Sequence, residues 1–312
     1  VVFEVAVAYP LGDVGAKENP GLKMMMNQVS LSRLSHGARA ASMMRRCLNE
    51  AMTVAKTRSA FQEKIIGKPL LRRQLMKLML PTEQALSMTL YLGTVLTAAA
   101  NGDAHAERVA RILTPAHKYR TARDNIRVAT GAMEVRGGNG YIEDFVNARL
   151  VRDAHVGLLW EGTSNINALD ITTRAIGRIE AHKDLKSALL AQIDGCPGLP
   201  DSFASVLKST LIKSLALAEE IARRGEECLA RQAASAVYHS ATAVLLACEG
   251  ARLGADGGDA RRLLLARMVS DHRLSPQDPL SSAGSAFETA ATDLLLSDAP
   301  VSIETAEQTL SL

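Results

Sequence analysis

The stretch LKMMMNQVSLSRLSHGARAASMMRRCLNEAMTVAKTRS, residues 22–59, has the spacing of one long amphipathic helix. Met26, Val29, Leu31, Leu34, Ala38, Ala41 and Met44 recur three or four positions apart, with Arg33, Arg39 and Arg45 between them. That spacing stripes one face with apolar side chains. A helix this long is stable once that stripe is buried against partners, so the neighbouring segments must supply them.

Toward the C-terminus, Gly67-Lys68-Pro69 punctuates the chain, and Pro69 suits the first turn of a second helix over 69–99. Leu71, Leu75, Leu78, Met79, Ala85 and Leu86 give it a stripe, and Pro81 predicts a kink or a division inside it. Asn101-Gly102-Asp103 reads as a turn with Asp103 as N-cap, opening a third helical region to about Arg136 that Thr114-Pro115 interrupts. Three long helical segments with short connections are the ingredients of an antiparallel bundle. Aromatic residues at only 4% of the chain, beside abundant Ala, Leu, Arg and Met, favour helix over sheet.

Toward the N-terminus, Val2 to Val7 alternates as a strand does, and Gly12, Gly15, Pro20 and Gly21 break it. The opening VVFEVAVAYP has no methionine and reads as a strand entered midway. Residues 137–163 gather glycines and aromatics, and 164–190 return to helix. Cys196-Pro197-Gly198-Leu199-Pro200 reads as a linker, followed by a helical pair over 203–253, the loop GADGGD, a basic helix to about His272 and a final helix from about Ser281. The expected fold is all-α, an antiparallel bundle and further helices after a strand-like opening, with the chain dividing near residue 195.

Charge and cysteine usage narrow the function. Lys+Arg number 36 against 33 Asp+Glu, a net charge of +3, which gives no bulk electrostatic reason to bind nucleic acid. The pairs Arg45-Arg46, Arg72-Arg73, Arg223-Arg224 and Arg261-Arg262 have Glu50, Glu219, Glu226 and Asp259 interspersed, the pattern of solvated helix faces. The four cysteines form no CxxC pair and the seven histidines no HExxH, so neither a metal site nor a disulfide framework is expected. Reduced thiols point to the cytoplasm, and no apolar run approaches the roughly 20 residues that span a bilayer.

Three places carry candidate chemistry. Glu161, in Trp160-Glu161-Gly162-Thr163, could be a general base on a flexible loop, or a carboxylate favouring a helix N-terminus. Gly137-Gly138-Asn139-Gly140 could wrap a phosphate or a flavin edge with its backbone N–H groups, or form a tight turn. Arg58 and Phe61 could present a bidentate charge beside a flat apolar ring, or be a surface arginine beside a core phenylalanine.

The ordered fragments RLSHGARAAS, AKTRSAF, GKPLLRRQL, RILTPAHKY, EVRGGNGYIEDF, RLVRDA and LLWEGTSNINALDI resemble the acyl-CoA dehydrogenase family. TPAHKY and the WEG…N…LD ending make the chain similar to the AidB-like branch of adaptive-response flavoproteins. The likeness is dense over residues 1–178, and beyond 195 it extends only to the extra helical domain of longer members. It implies that residues 1–21 are a remnant of the family's middle β domain, entered in its last strand, that 22–195 are its C-terminal four-helix bundle, commonly assembled as a homo-oligomer, dimer or tetramer, and that 196–312 are an appended helical domain.

The resemblance also assigns roles. Glu161 becomes the base that removes the α-proton of an acyl-CoA thioester while the β-hydrogen leaves as hydride to N5 of FAD. The backbone N–H of Glu161 and a ribityl hydroxyl would hold the thioester oxygen. Some members carry the base on the first bundle helix, where this chain has Ser32, which cannot serve. Arg58 and Phe61 correspond to residues touching the FAD of a neighbouring subunit, Gly137 and Gly138 to glycines at its adenine end, and Glu134 to a flavin-contacting position. Thr163 and Asn165 correspond to positions near FAD on the Glu161 side. Gln62 stands where glycine is common, and WEGTSN replaces the branch's WEGSGN. The implied partners are an acyl-CoA substrate and an electron acceptor such as electron-transfer flavoprotein. The alternatives are an AidB-like flavoprotein that binds DNA with little dehydrogenase activity, and a flavin-free structural fragment.

Overall fold

The computed structural model describes residues 2–9, 20–276, 278, 280 and 285–312. Helix α1 spans Pro20–Thr57, α2 spans Pro69–Ala100 and α3 spans Ala104–Arg136. Between the first two lies a hairpin of β1, Ser59–Ala60, and β2, Glu63–Lys64, followed by a 3₁₀ turn, Ile65–Gly67. Pro69 occupies the first turn of α2 as expected. The Asp103 carboxylate caps α3 by accepting from the backbone N–H groups of His105 at 2.9 Å and Ala106 at 3.1 Å.

Neither α2 nor α3 divides at its proline: of the kink or division expected at Pro81 the division does not occur, and neither does the interruption expected at Pro115. Each proline forfeits one backbone hydrogen bond. Both are buried where the helices pack, so tertiary contact holds the segments continuous.

Helix α2 runs antiparallel to α1 and α3. Arg45 pairs with Glu83, Thr89 meets His117 at 3.1 Å, and a Cβ placed on Gly131 would lie 2.6 Å from Leu78 Cδ2. Helix α1 meets α3 tightly at Gly37, where an added Cβ would sit 2.2 Å from the His117 ring. Only glycine permits that crossing.

The remaining elements wrap this layer. Helix α4, Val146–Val156, packs on α3 and α1, while α5, Ser164–Leu169, continues as a π-helical segment, Asp170–Ile176, along α3. Helix α6, Ala181–Asp194, also lies on α3. Then follow α7, Asp201–Arg224; α8, Ala230–Ala255; α9, Arg261–Val269, extended by a π turn Ser270–Leu274; α10, Ala286–Leu296; and α11, Ile303–Leu310. The expected single final helix is two, because Asp298-Ala299-Pro300 falls between them; its expected start at Ser281 lies outside the described residues.

Helix α8 is apolar nearly all round and is the buried centre of the C-terminal part, packed by α2, α3, α5, α6, α7 and α9. Gln84 of α2 ties it in by donating to Thr242 Oγ1 at 2.6 Å, with His239 Nδ1 at 3.0 Å. One apolar cluster runs from Ala41 to Ala306, across the turn at Cys196–Pro200. The fold is all-α, as the periodicity predicts. Residues 2–9, where the sequence predicts a strand, are exposed and pair with no strand among the described residues. A strand requires a neighbour for its backbone groups. The predicted breaks at Gly12 and Gly15 lie outside the described residues.

Candidate active site

Glu161 sits on the loop between α4 and α5, two residues before Thr163, the N-cap of α5. Glu161 and Gly162 both take left-handed backbone conformations, φ 54° and 88°. For a non-glycine residue that costs about 1–3 kcal/mol, so surrounding contacts must hold it. They do so through the carbonyls. Arg33 Nε donates to the Glu161 carbonyl at 3.4 Å, and Lys118 Nζ donates to the Gly162 carbonyl at 2.6 Å. Asn167 Nδ2 reaches back to the carbonyls of Gly162 at 2.8 Å and Thr163 at 3.0 Å. Two helices 85 positions apart in sequence, at Arg33 and Lys118, thus grip consecutive peptides of one loop.

The grip is cationic and buried. Arg33 is fixed by Asp170 at 2.8 Å, and Arg111 holds the same carboxylate with two bonds of 2.7 and 3.1 Å. Burial works to raise Asp170, but the hydrogen bonds and charges of Arg111 and Arg33 outweigh it and keep the carboxyl below its usual range. Lys118 is 1% exposed. Burial, helped by the Arg33 charge and opposed by Glu161, pushes its ammonium down to about 8. The only tryptophan, Trp160, stacks on His36 of α1 at 4.8 Å, with the Arg39 guanidinium 5.3 Å from its ring. Burial lowers the His36 pKa, against the pull of Glu161 and with the push of Lys118 and Arg39. Glu161 is therefore a half-buried carboxylate over α1, beside an aromatic ring and two fixed cations. Thr163 and Asn165 are exposed on the same loop, and Ser32 lies half-buried next to Arg33 on α1.

The other predicted residues gather at the far end of α1. At 1.5 Å per residue, Arg33 and the end of α1 at Thr57 are about 36 Å apart. There Arg58 Nη1 donates to the Arg136 carbonyl at 3.2 Å, and a Cβ on Gly137 would lie 3.2 Å from that same nitrogen. Gly137 is left-handed at φ 74° and Gly138 faces open space. Glu134 is exposed and accepts from Gln74 Nε2 at 2.8 Å. Phe61 and Gln62 form the hairpin turn with φ of 53° and 68°, conformations usually reserved for Asn and Gly. The strained turn holds Phe61 out at 87% exposure, so it is no core residue. The structure thus makes two clusters: Glu161, Thr163 and Asn165 at one end; Arg58, Phe61, Glu134, Gly137 and Gly138 at the other.

Sequence reasoning missed Lys118, Asp170, Arg111 and Asn167. The first two lie in the TPAHKY and LD signatures, which carried a signal without revealing a role. The basic helix is also resolved. Arg261 pairs with Asp259, Arg262 with Glu83 and Glu249, and Arg267 lies over the Phe287 ring near Asp271. Arg273 is half-buried, and burial lowers its pKa. Burial pushes the thiols of Cys47 and Cys248 up to about 12. Among the described residues no His/Cys/Asp/Glu group could hold a metal, and no helix is long and apolar enough to cross a membrane.

The molecule is thus a helical bundle with a clamped carboxylate loop at one end and an arginine-glycine corner at the other. Residues 19–176 match the family model described as acyl-CoA dehydrogenase, C-terminal domain, and the chain belongs to the acyl-CoA dehydrogenase family. It is 30% identical over 223 residues to the putative acyl-CoA dehydrogenase AidB of Escherichia coli strain K12, covering 72% of this chain and 39% of that protein. Its fold is similar to that of Caenorhabditis elegans ACDH-11 in complex with C11-CoA, with a TM-score of 0.72 and 21% identity over 84% of this chain and 46% of that one. It is likewise similar to an acyl-CoA dehydrogenase from Bacillus anthracis complexed with FAD, with a TM-score of 0.65 and 15% identity over 93% and 56% of the two chains. The chain spans well under half the length of the curated relatives it matches, 39%, 27% and 32% of three of them.

Proposed function

We propose that this chain is the C-terminal part of an FAD-dependent acyl-CoA dehydrogenase, with residues 22–195 as its bundle and 196–312 as an appended helical domain. The observation that carries the reading is the Glu161 loop, whose two consecutive carbonyls are held by Arg33 and Lys118. With those carbonyls tied down, the loop resists rotation and Glu161 keeps one position from which to take a proton. Trp160, stacked on His36, anchors the start of the loop to α1.

The residues fit the cofactor. Arg58 is a guanidinium beside a glycine corner where Gly138 has open space around it, and Phe61 is an exposed ring on a strained turn. These suit a pyrophosphate, close backbone approach and a flat ring. Because they lie about 36 Å along α1 from the Glu161 end, they would serve a second subunit's cofactor, and the protein would be a homo-oligomer. FAD, when bound, would supply the hydride acceptor. Glu161 would take the α-proton, its own backbone N–H would stabilise charge on the thioester oxygen, and Thr163 and Asn165 would flank the cofactor. Electrons would pass on to a separate acceptor such as electron-transfer flavoprotein.

The test is an anaerobic absorption titration of the complete polypeptide with a panel of acyl-CoA thioesters. The flavin band should bleach with one of them, and Glu161→Gln should abolish bleaching while keeping the band. An E161Q protein with full turnover would overturn the assignment. A duplex-DNA titration at several salt concentrations addresses the second branch of the family. The internal pairing of Arg261, Arg262 and Arg267 disfavours that role.

A further inference from the structure

The bundle forms a partly open cavity of about 630 Å³ between the start of α1, the end of α2 and the start of α3. Its lining includes none of Trp160, Glu161, Gly162 and Thr163, although it shares Arg33 with the grip on that loop. The cavity is separate from the cofactor corner as well, which lies at the far end of α1.

Its lining combines two chemistries. Ala99, Ala100, Ala104 and Ala110, with Pro115 and Leu96, make an apolar wall of small side chains where the ends of α2 and α3 meet. Arg33 and Arg111 line the same cavity. Both are committed to one carboxylate, Asp170, which is 6% exposed. Two guanidinium groups against one carboxylate leave one positive charge unbalanced, and the Arg33 side chain is only 7% exposed. Arg174, 3.8 Å from the same carboxylate, adds to the excess from a largely exposed position. Arg108 at the rim is balanced by Asp184 through two bonds of 2.6 and 2.8 Å, and the exposed Glu107 is solvated.

A partly buried excess cation beside an apolar wall is best satisfied by one anionic group on a hydrocarbon body. The volume falls within the roughly 300–1,000 Å³ of small-molecule sites. We propose that this cavity is a second ligand site, taking an amphipathic monocarboxylate whose head meets Arg33 and Arg111 and whose chain lies along the alanine wall. Arg33 also touches the Glu161 carbonyl, so occupancy of the cavity bears directly on that loop.

Isothermal titration calorimetry of the purified chain with decanoate, and with decanol as the uncharged control, tests this without any flavin chemistry. Decanoate should bind saturably and about tenfold or more tightly than decanol. Ala100→Phe fills the wall from an exposed helix end, and should weaken decanoate about tenfold or more with an unchanged melting temperature. Arg111→Gln keeps the Arg33–Asp170 pair and should remove the preference for decanoate over decanol. Equal affinity for the two ligands, no saturable heat up to millimolar decanoate, or native affinity in A100F overturns the proposal. None of these outcomes depends on whether Glu161 is a base.

Discussion

Lys118 offers a measurement in which the expected sign is opposite to intuition. Its ammonium is 1% exposed and donates one bond of 2.6 Å to the Gly162 carbonyl. Burial, with Arg33 adding to it and Glu161 opposing, drops it from the usual 10.5 to about 8. At about 1.4 kcal/mol per pKa unit, holding the charge inside costs on the order of 3 kcal/mol at neutral pH. The charged hydrogen bond returns about 1.5–3 kcal/mol of that. The Gly162 carbonyl keeps a second donor in Asn167, so removing Lys118 does not orphan it. Lys118→Met should therefore leave stability at pH 7 within about 1–2 kcal/mol of the native chain.

The pH dependence discriminates. The folded chain releases the Lys118 proton near pH 8, whereas the unfolded chain holds it to about 10.5. Between those values the unfolded state binds more protons, so native stability rises with pH on this account. The benefit is complete above 10.5 and is lost as pH falls through 8. Urea unfolding of native and K118M chains at pH 7, 8, 9 and 10 isolates the effect, because all other groups cancel in the difference. The native-minus-K118M stability should climb by about 2–3 kcal/mol across the series. A flat difference, or one that falls, would refute the argument that Lys118 is a buried, destabilised cation.

Asp170→Asn removes the carboxylate shared by Arg33 and Arg111 while keeping its shape. The buried guanidinium left behind should cost about 3–5 kcal/mol, read as a shift in the urea midpoint. Arg58→Ala should lower flavin retention of the complete polypeptide on gel filtration and leave its melting curve unchanged, since Arg58 is exposed and bonds only the Arg136 carbonyl. Acid should destabilise the chain below about pH 6.5, because burial pushes His117 down to about 3 and the unfolded chain takes up that proton first. A melting temperature that holds steady from pH 6.5 to 4 would contradict it.

Residues 22–136 announced their helices because a stripe at three- and four-residue spacing is a local property that any window displays. The Asp103 cap and the Pro69 start were legible for the same reason. Pro81 and Pro115 misled the reading, since a proline's penalty is local and the packing that overrides it is not. The hairpin at Phe61–Gln62 carried no turn signature at all; only its neighbours made those residues adopt left-handed backbone. The helix ending near His272 is basic in sequence, and its Arg262 pairs with residues such as Glu83 and Glu249 that lie outside that helix.

By itself, the sequence determined an all-helical bundle and singled out Glu161 through its Trp-Glu-Gly setting and the surrounding family fragments. Tertiary structure alone decided what holds Glu161. Arg33 lies 128 positions from it and 137 from Asp170, while Lys118 lies 44 from Gly162. Helical periodicity fixes which face a residue occupies, but not which residue of another helix arrives opposite. That choice follows from how helices pack, at crossings such as Gly37 against His117, and the loop's conformation follows from the crossing.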